Sequence, residues 1–281
     1  MKTIRIVPRL DIKGPNVVKG IHLEGLRVLG SPSDFAKFYY EQGADEILFM
    51  DVVASLYERN SLHDIIEKSS DDIFIPITVG GGLRSIEDIK SVLRSGADKV
   101  CLNTAAIKNP ELIRSASEKF GSSTIVVAIE AIRQEGGTYM AFTDNGRQYT
   151  GVNAVEWAQK IEELGAGEII LTSVDHEGTG LGFDKDFINL IANKVSIPVI
   201  VHGGAGKKED VLEIIKYSPA DAICAAAIFH YDFIKNNTVD FNQSEGNFDF
   251  LKSGRSVKKI ETINIVDLKS YLAENGVSLR N

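Results

Sequence analysis

Val79-Gly80-Gly81-Gly82, with Gly96-Ala97-Asp98 behind it, returns later in the chain as His202-Gly203-Gly204-Ala205 with Pro219-Ala220-Asp221 behind it. In both copies the aspartate lies 18 residues beyond the first aligned glycine, an ungapped offset of 123 that also brings Cys101 onto Cys224. Further upstream, Gln42-Gly43-Ala44-Asp45-Glu46 answers Leu164-Gly165-Ala166-Gly167-Glu168 at an offset of 122, and Ile6–Asp11 answers Ile125–Glu130 at 119. Self-similarity at a near-constant offset across a whole chain marks a duplicated supersecondary unit.

Around these landmarks, short β-rich runs alternate with segments of helical period. The runs are Thr3–Leu10, Glu46–Met50, Ile75–Val79, Lys99–Leu102, Thr124–Ile129, Glu168–Thr172, Val199–Val201 and Ala222–Ala226. Between them lie amphipathic stretches such as Ser33–Glu41, Ile86–Ser95, Ala154–Leu164 and Lys208–Lys216. Eight strands alternating with helices predict a parallel sheet, and eight close into a (β/α)8 barrel, the TIM barrel. An open doubly wound sheet would place a glycine-rich turn after the first strand, where the chain has Asp11-Ile12-Lys13-Gly14. The chain is therefore expected to be one α/β domain over 1–281, built of two similar half-barrels of about 1–122 and 123–281. The segment of about 231–262 is rich in Asn, Asp, Lys and Phe without a clean period. It is expected as an insertion after strand eight, either a surface loop or a lid.

A length of 281 residues suits one such barrel, and 43% hydrophobic with 25% charged residues is ordinary for a globular chain. The net charge of −8 argues against a nucleic-acid binder, which needs clustered Lys and Arg. It leaves room for a small phosphorylated ligand held by backbone donors. No 18-residue apolar run is present, so no membrane partner is expected, and the first residues read as a strand rather than a signal peptide. Cys101 and Cys224 each sit in a short apolar run and are expected as reduced core residues of a cytoplasmic protein.

Catalytic groups of such barrels lie at the C-terminal ends of the strands. Side chains two apart on a strand share a face, so Asp11 at the mouth implies that Arg9, Val7 and Arg5 point inward at deeper layers. The repeat puts Glu130 opposite Asp11, two carboxylates suited to acid–base work, or to helix capping or ion pairing. Gly81-Gly82 with Asn103-Thr104, and Gly203-Gly204 with Ala226-Ala227, form two related turns before helices. They are candidate phosphate cups for a substrate with a phosphate at each end, or simply tight loops. At the strand starts, Arg5, Glu46, Lys99 and Glu168 aim inward at the N-terminal mouth, where buried charges must neutralise one another.

Through these residues the chain resembles the cyclase subunit family of imidazole glycerol phosphate synthase, a lyase of histidine biosynthesis. The similarity runs through Val17-Val18-Lys19-Gly20, Gly43-Ala44-Asp45-Glu46, Thr78-Val79-Gly80-Gly81-Gly82 and Gly96-Ala97-Asp98-Lys99-Val100. It continues through Ala154-Val155-Glu156-Trp157-Ala158, Glu168-Ile169-Ile170-Leu171-Thr172-Ser173 and Gly203-Gly204-Ala205-Gly206. The resemblance implies that a glutaminase docks at the N-terminal face and that ammonia crosses the barrel. At the C-terminal face the ammonia reacts with the bis-phosphorylated PRFAR, giving imidazole glycerol phosphate and the aminoimidazole carboxamide nucleotide AICAR, with no metal or organic cofactor expected. It implies catalytic roles for Asp11, Glu130 and Glu177, and substrate contacts from Lys19, Thr172, Gly178 and the two cups. It further implies an ammonia gate of Arg5, Glu46, Lys99 and Glu168, and a glutaminase contact at Asp98.

The chain departs from the family at the mouth. Glu130 replaces an aspartate, and Asp175-His176-Glu177-Gly178-Thr179 replaces Asp-Arg-Asp-Gly-Thr. Arg9 replaces a cysteine, and His202 and Ala227 replace serines. Arg9 shares a face with Asp11, and an ion pair between them would hold Asp11 as a carboxylate and weaken it as a proton donor. These departures leave open a paralogue that channels ammonia to a different acceptor, such as a sugar of surface-polysaccharide biosynthesis.

Overall fold

The computed structural model describes residues 2–54, 62–237 and 260–280. Within them the first half runs β1 (Arg5–Lys13), β2 (Asn16–Ile21), β3 (Glu24–Gly30), α1 (Pro32–Glu41), β4 (Ile47–Asp51), α2 (His63–Ser70), β5 (Ile77–Gly80), α3 (Ile86–Arg94), β6 (Lys99–Leu102), α4 (Thr104–Lys108) and α5 (Glu111–Phe120). The second runs β7 (Ile125–Arg133), β8 (Tyr139–Thr143), β9 (Gln148–Asn153), α6 (Ala154–Glu163), β10 (Glu168–Ser173), α7 (Lys185–Ala192), β11 (Val199–His202), α8 (Lys208–Tyr217), β12 (Ala222–Ala225), α9 (Ala227–Asn236) and α10 (Ile265–Glu274). Strands pair in parallel in the order β1-β4-β5-β6-β7-β10-β11-β12, and β12 returns to β1. The barrel is closed, as expected for a TIM barrel, and β7 stands across the ring from β1.

The strands are apolar on both faces because one face fills the lumen while the other packs under the helices. Val7, Leu48, Cys101, Val126, Ala128, Ile170, Ile200 and Cys224 cluster inside the barrel, whereas Ile6, Leu10 and Ile12 join the outer core with Phe35, Tyr39 and Phe229. The alternation on β1 is the one expected: Val7 inward, and with it Arg5, Arg9 and Asp11. Cys101 and Cys224 are free and buried in the lumen.

Register shows how closely the halves correspond. On β1 and β4, Arg9 pairs Leu48 and Asp11 pairs Met50; on β7 and β10, Ala128 pairs Ile170 and Glu130 pairs Thr172. The shift that relates β4 to β10, Leu48 to Ile170, also relates the helix starts. Asp88 accepts the N–H groups of Arg84 and Ser85 before α3, and Asp210 accepts those of Gly206 and Lys207 before α8. These caps stand 122 residues apart, and so do the turns, since the left-handed pair Gly81 and Gly82 corresponds to Gly203 and Gly204. The ungapped offset of 123 is thus corrected: His202 takes the place of Gly80. The offset reaches 123 only after α8, which is one residue longer than α3. Asp98 and Asp221 then play the same part, accepting the N–H of Ile77 and of Val199.

Two antiparallel hairpins, β2–β3 and β8–β9, extend β1 and β7 beyond the barrel rim. The sequence reading missed both. The clearest signal was Asp144-Asn145-Gly146, a turn tripeptide between alternating runs. The expected insertion also begins too early, because Tyr231–Asn236 complete α9; residues 238–259 lie outside the described part. Among the described residues no helix is long and apolar enough to cross a membrane.

Candidate active site at the barrel mouth

Asp11 and Glu130 sit at equivalent points on opposed strands, both buried. Glu130 Oε2 accepts the backbone N–H of Gly146 in the β8–β9 turn at 3.0 Å. Burial is the main force on this carboxyl and lifts its pKa to about 7; the Arg9 charge and the Gly146 hydrogen bond oppose the rise without cancelling it. A carboxyl poised near neutrality can take up or release a proton at physiological pH. Asp11 is engaged differently: its Oδ1 accepts from Arg9 Nε at 2.7 Å, with both side chains almost wholly buried. The ion pair expected from strand parity is formed.

Arg9 reaches the barrel axis. Its Nη1 lies 3.5 Å from His202 Nδ1, and its charge acts on Asp11, Cys101, Glu130, His202 and Cys224, which belong to five strands. Burial opposes that charge, but the neighbouring carboxylates, Asp11 first and then Glu130, outweigh it and hold the guanidinium protonated. Burial, then the charges of Arg9 and Lys19, push the His202 pKa well below its ordinary value, so the ring is neutral. An arginine only donates, which makes His202 Nδ1 the acceptor and leaves the ring proton on Nε2. Thr172 Oγ1, 3.2 Å from the same nitrogen, completes this contact rather than lining either cup.

The two candidate cups differ. A cavity of about 240 Å³ opens at the first, lined by Gly81, Gly82, Asn103, Thr104 and Glu130, with Arg84 and Lys108 adding positive charge. Gly81 has φ +100°, and a Cβ there would lie 2.3 Å from the Asp51 carbonyl oxygen. Only glycine fits so close an approach, and that is how a turn presents its N–H groups to a ligand. Asn103 Oδ1 is buried with no donor among the described residues. The second cup, lined by Gly178, Gly203, Gly204, Ala226 and Ala227, encloses only about 10 Å³. Lys19 and Glu177 line it as an ion pair, and Lys19 also donates to the Gly20 carbonyl at 2.7 Å.

Glu177, read from the sequence as a catalytic group, is committed on both oxygens. Oε1 takes Lys19, and Oε2 takes the N–H of Leu23 at 2.9 Å. The β2–β3 and β8–β9 hairpins meet above it, where Asn145 Nδ2 donates to the Leu23 carbonyl at 2.8 Å. This roof explains why Asp11 and Arg9 are so deeply buried. Sequence reasoning did not find Asn145 or Leu23.

At the opposite mouth the four strand-start charges form a closed ring. Arg5 donates to Glu46 at 2.9 Å and to Glu168 at 2.6 Å; Lys99 donates to Glu46 at 2.9 Å and to Glu168 at 2.8 Å. Each charge faces two of opposite sign, so the ring is neutral. Asp98 is exposed near it.

A closed parallel barrel with a buried carboxyl at its C-terminal mouth, two glycine turns beside it and a charge ring at the opposite mouth has the layout of an α/β-barrel enzyme. A family model described as histidine biosynthesis protein matches residues 5–235. The chain is 41% identical over 280 residues to the imidazole glycerol phosphate synthase subunit HisF of Saccharolobus solfataricus, covering all of both chains. It is 44% identical over 276 residues to that of a Hydrogenobaculum species, covering 98% of each. It is 54% identical over 210 residues to that of Legionella pneumophila, covering 75% of this chain and 99% of that protein. The chain belongs to the histidine-biosynthesis protein family and, within it, to the HisF group.

Proposed function

We propose that this chain is the ammonia-dependent cyclase that converts PRFAR to imidazole glycerol phosphate and AICAR. The observation that carries this reading is the pairing of an open glycine cup with Glu130, a buried carboxyl of pKa about 7, in one cavity. One phosphate of the substrate binds at Gly81, Gly82, Asn103 and Thr104. The other binds at Gly178, Gly203, Gly204, Ala226 and Ala227 after Lys19 leaves Glu177 to meet it. A phosphate there gives Lys19 a new anionic partner, while Glu177 keeps the Leu23 N–H as its remaining donor. Glu130 removes and returns protons as nitrogen adds to the substrate, and Asp11 fixes the charge opposite it. Glu177 holds the hairpin roof through Leu23 and passes Lys19 to the incoming phosphate.

In the same reading, a glutaminase docked on the N-terminal face at Asp98 supplies the ammonia. The ammonia enters between Arg5, Glu46, Lys99 and Glu168, and the apolar lumen carries it as the neutral molecule. Incubating the isolated chain with PRFAR and an ammonium salt, with products separated by chromatography, tests the reading without a partner. Saturable formation of both products in equal amounts supports it, and unchanged PRFAR opposes it. One observation favours a second reading, ammonia transfer to another acceptor: the buried Arg9–Asp11 pair narrows the floor of the site. That reading requires PRFAR to be left unconsumed.

A further inference from the structure

Among the described residues Arg9 is the largest side chain with almost no exposure, and one of its donors has no acceptor there. Nε is spent on Asp11 and Nη1 faces His202, whereas Nη2 is buried with no acceptor among the described residues. In the planar guanidinium, Nη2 lies on the same edge as the Nε–H bond. The edge that holds Asp11, toward the mouth, therefore also carries the free donor. A side-on pair with both carboxylate oxygens would have used Nη2; here the carboxylate takes Nε alone. Burying a donor without an acceptor is costly, and such groups in native structures commonly meet a ligand or an ordered water.

The chemistry of the acceptor follows from the surrounding charges. Asp11 neutralises the guanidinium, Glu130 faces it from β7 and ionises near neutrality, and His202 is uncharged. Cys101 and Cys224 beneath it are protonated thiols, the former pushed up to about 12 by burial. An anion would meet two carboxylates and gain no net countercharge, whereas an uncharged oxygen would gain a strong donor. We infer that the free edge of Arg9 binds the uncharged carbonyl oxygen of the ammonia acceptor, at the point where the barrel axis meets the mouth. This rests on the cyclase reading, in which that oxygen belongs to the open-chain ketose arm of PRFAR.

The inferred step is nitrogen addition. The lone pair of ammonia forms a bond to the carbonyl carbon, and the C=O π pair moves onto the oxygen, where Arg9 Nη2 donates to the growing negative charge. The Glu130 carboxylate takes a proton from the new ammonium nitrogen and returns it to that oxygen, giving a neutral carbinolamine. The nitrogen then loses a second proton to Glu130 as the C–O bond breaks. That proton leaves with the hydroxyl as water, and a C=NH bond remains. No oxidant or further reagent enters. Arg9 thus supplies from a fixed charge the donor that Asp11, serving as its acceptor, does not provide.

Steady-state kinetics of the isolated native chain, Arg9→Lys and Arg9→Met with PRFAR and ammonium test this, with thermal unfolding of each variant as the check on folding. Arg9→Met leaves Asp11 buried without a partner and risks poor folding. Arg9→Lys keeps the charge beside Asp11 but lacks the second donor of the fork. The inference expects Arg9→Lys to fold and to lose about 10²-fold in kcat, the scale of one lost oxyanion donor, with KM changed less than about threefold. A folded Arg9→Met should lose at least as much. Native turnover with kcat unchanged or raised in Arg9→Lys overturns the inference and spares the cyclase reading. So does a loss confined to KM, which would make Arg9 a ground-state contact. A native chain that leaves PRFAR unconsumed overturns both.

Discussion

Replacing Glu130 with glutamine should stabilise the protein in neutral and alkaline solution and do little in acid. The native carboxyl has a pKa of about 7 against an ordinary 4.5, with burial as the chief cause. Below pH 4.5 the group is neutral in folded and unfolded chains alike, and its ionisation costs the fold nothing. Between 4.5 and 7 the unfolded chain releases the proton while the folded chain keeps it, so the contribution of this group to stability falls as pH rises. Above 7 the folded chain carries a buried anion, and the loss is complete. A gap of about two and a half pH units corresponds to about 3 kcal/mol. For a chain of this size that is roughly 5 °C in melting temperature. Glutamine keeps an oxygen to accept the Gly146 N–H but carries no charge to desolvate. Denaturant unfolding of both proteins from pH 4 to pH 8 checks this. The stability difference should be near zero at pH 4 and climb by about 3 kcal/mol in favour of Glu130→Gln by pH 8. A difference that stays flat across that range refutes the reasoning, because it would mean the native carboxyl ionises as it does in the unfolded chain.

Gly81→Ala should cost about 2–4 kcal/mol, from positive-φ strain and a clash with the Asp51 carbonyl, whereas Gly25→Ala, at φ +63° with open space, should cost about 1 kcal/mol; equal losses in urea unfolding would count against the close approach. Titration with inorganic phosphate should shift the amide resonances of Gly81 and Gly82 at lower concentration than those of Gly203 and Gly204, because Lys19 and Glu177 must separate before the second cup opens. The reverse order would contradict the latch. Glu46→Gln should destabilise the fold by about 3 kcal/mol at pH 7, since Arg5 and Lys99 would share a single remaining carboxylate; an unfolding midpoint unchanged in urea would show that the ring is worth little.

Much of this barrel was legible because two periodicities reinforced each other. Period-two alternation put Arg5, Val7, Arg9 and Asp11 inside β1, and the duplicated pattern then fixed their counterparts across the axis. The charge ring followed from parity, since four charged strand starts aimed into one narrow lumen must neutralise one another; the Thr78 hydroxyl that also donates to Glu46 was not foreseen. The Arg9–Asp11 pair was legible for the same reason. Register across the glycine turns was not. Three consecutive glycines slide against two at no cost in similarity, and only the left-handed φ values and the caps by Asp88 and Asp210 reveal the shift. The hairpins escaped because eight parallel strands already account for the alternation, and the turns that announce them, Gly14-Pro15 after β1 and Gly136-Gly137 after β7, read as ordinary loops. With them went Asn145 and Leu23, whose contact joins segments 122 residues apart. Glu177 looked like a free acid in the sequence; its capture by Lys19 and by the Leu23 N–H depends on where the roof closes.

The fate of ammonia nitrogen tests the central claim most directly. The isolated chain, supplied with PRFAR and ¹⁵N-ammonium, should yield imidazole glycerol phosphate carrying one ¹⁵N and AICAR carrying none, as read by mass spectrometry of the separated products. PRFAR recovered intact from the native, folded chain at saturating ammonium, or label found outside the imidazole product, would contradict the account.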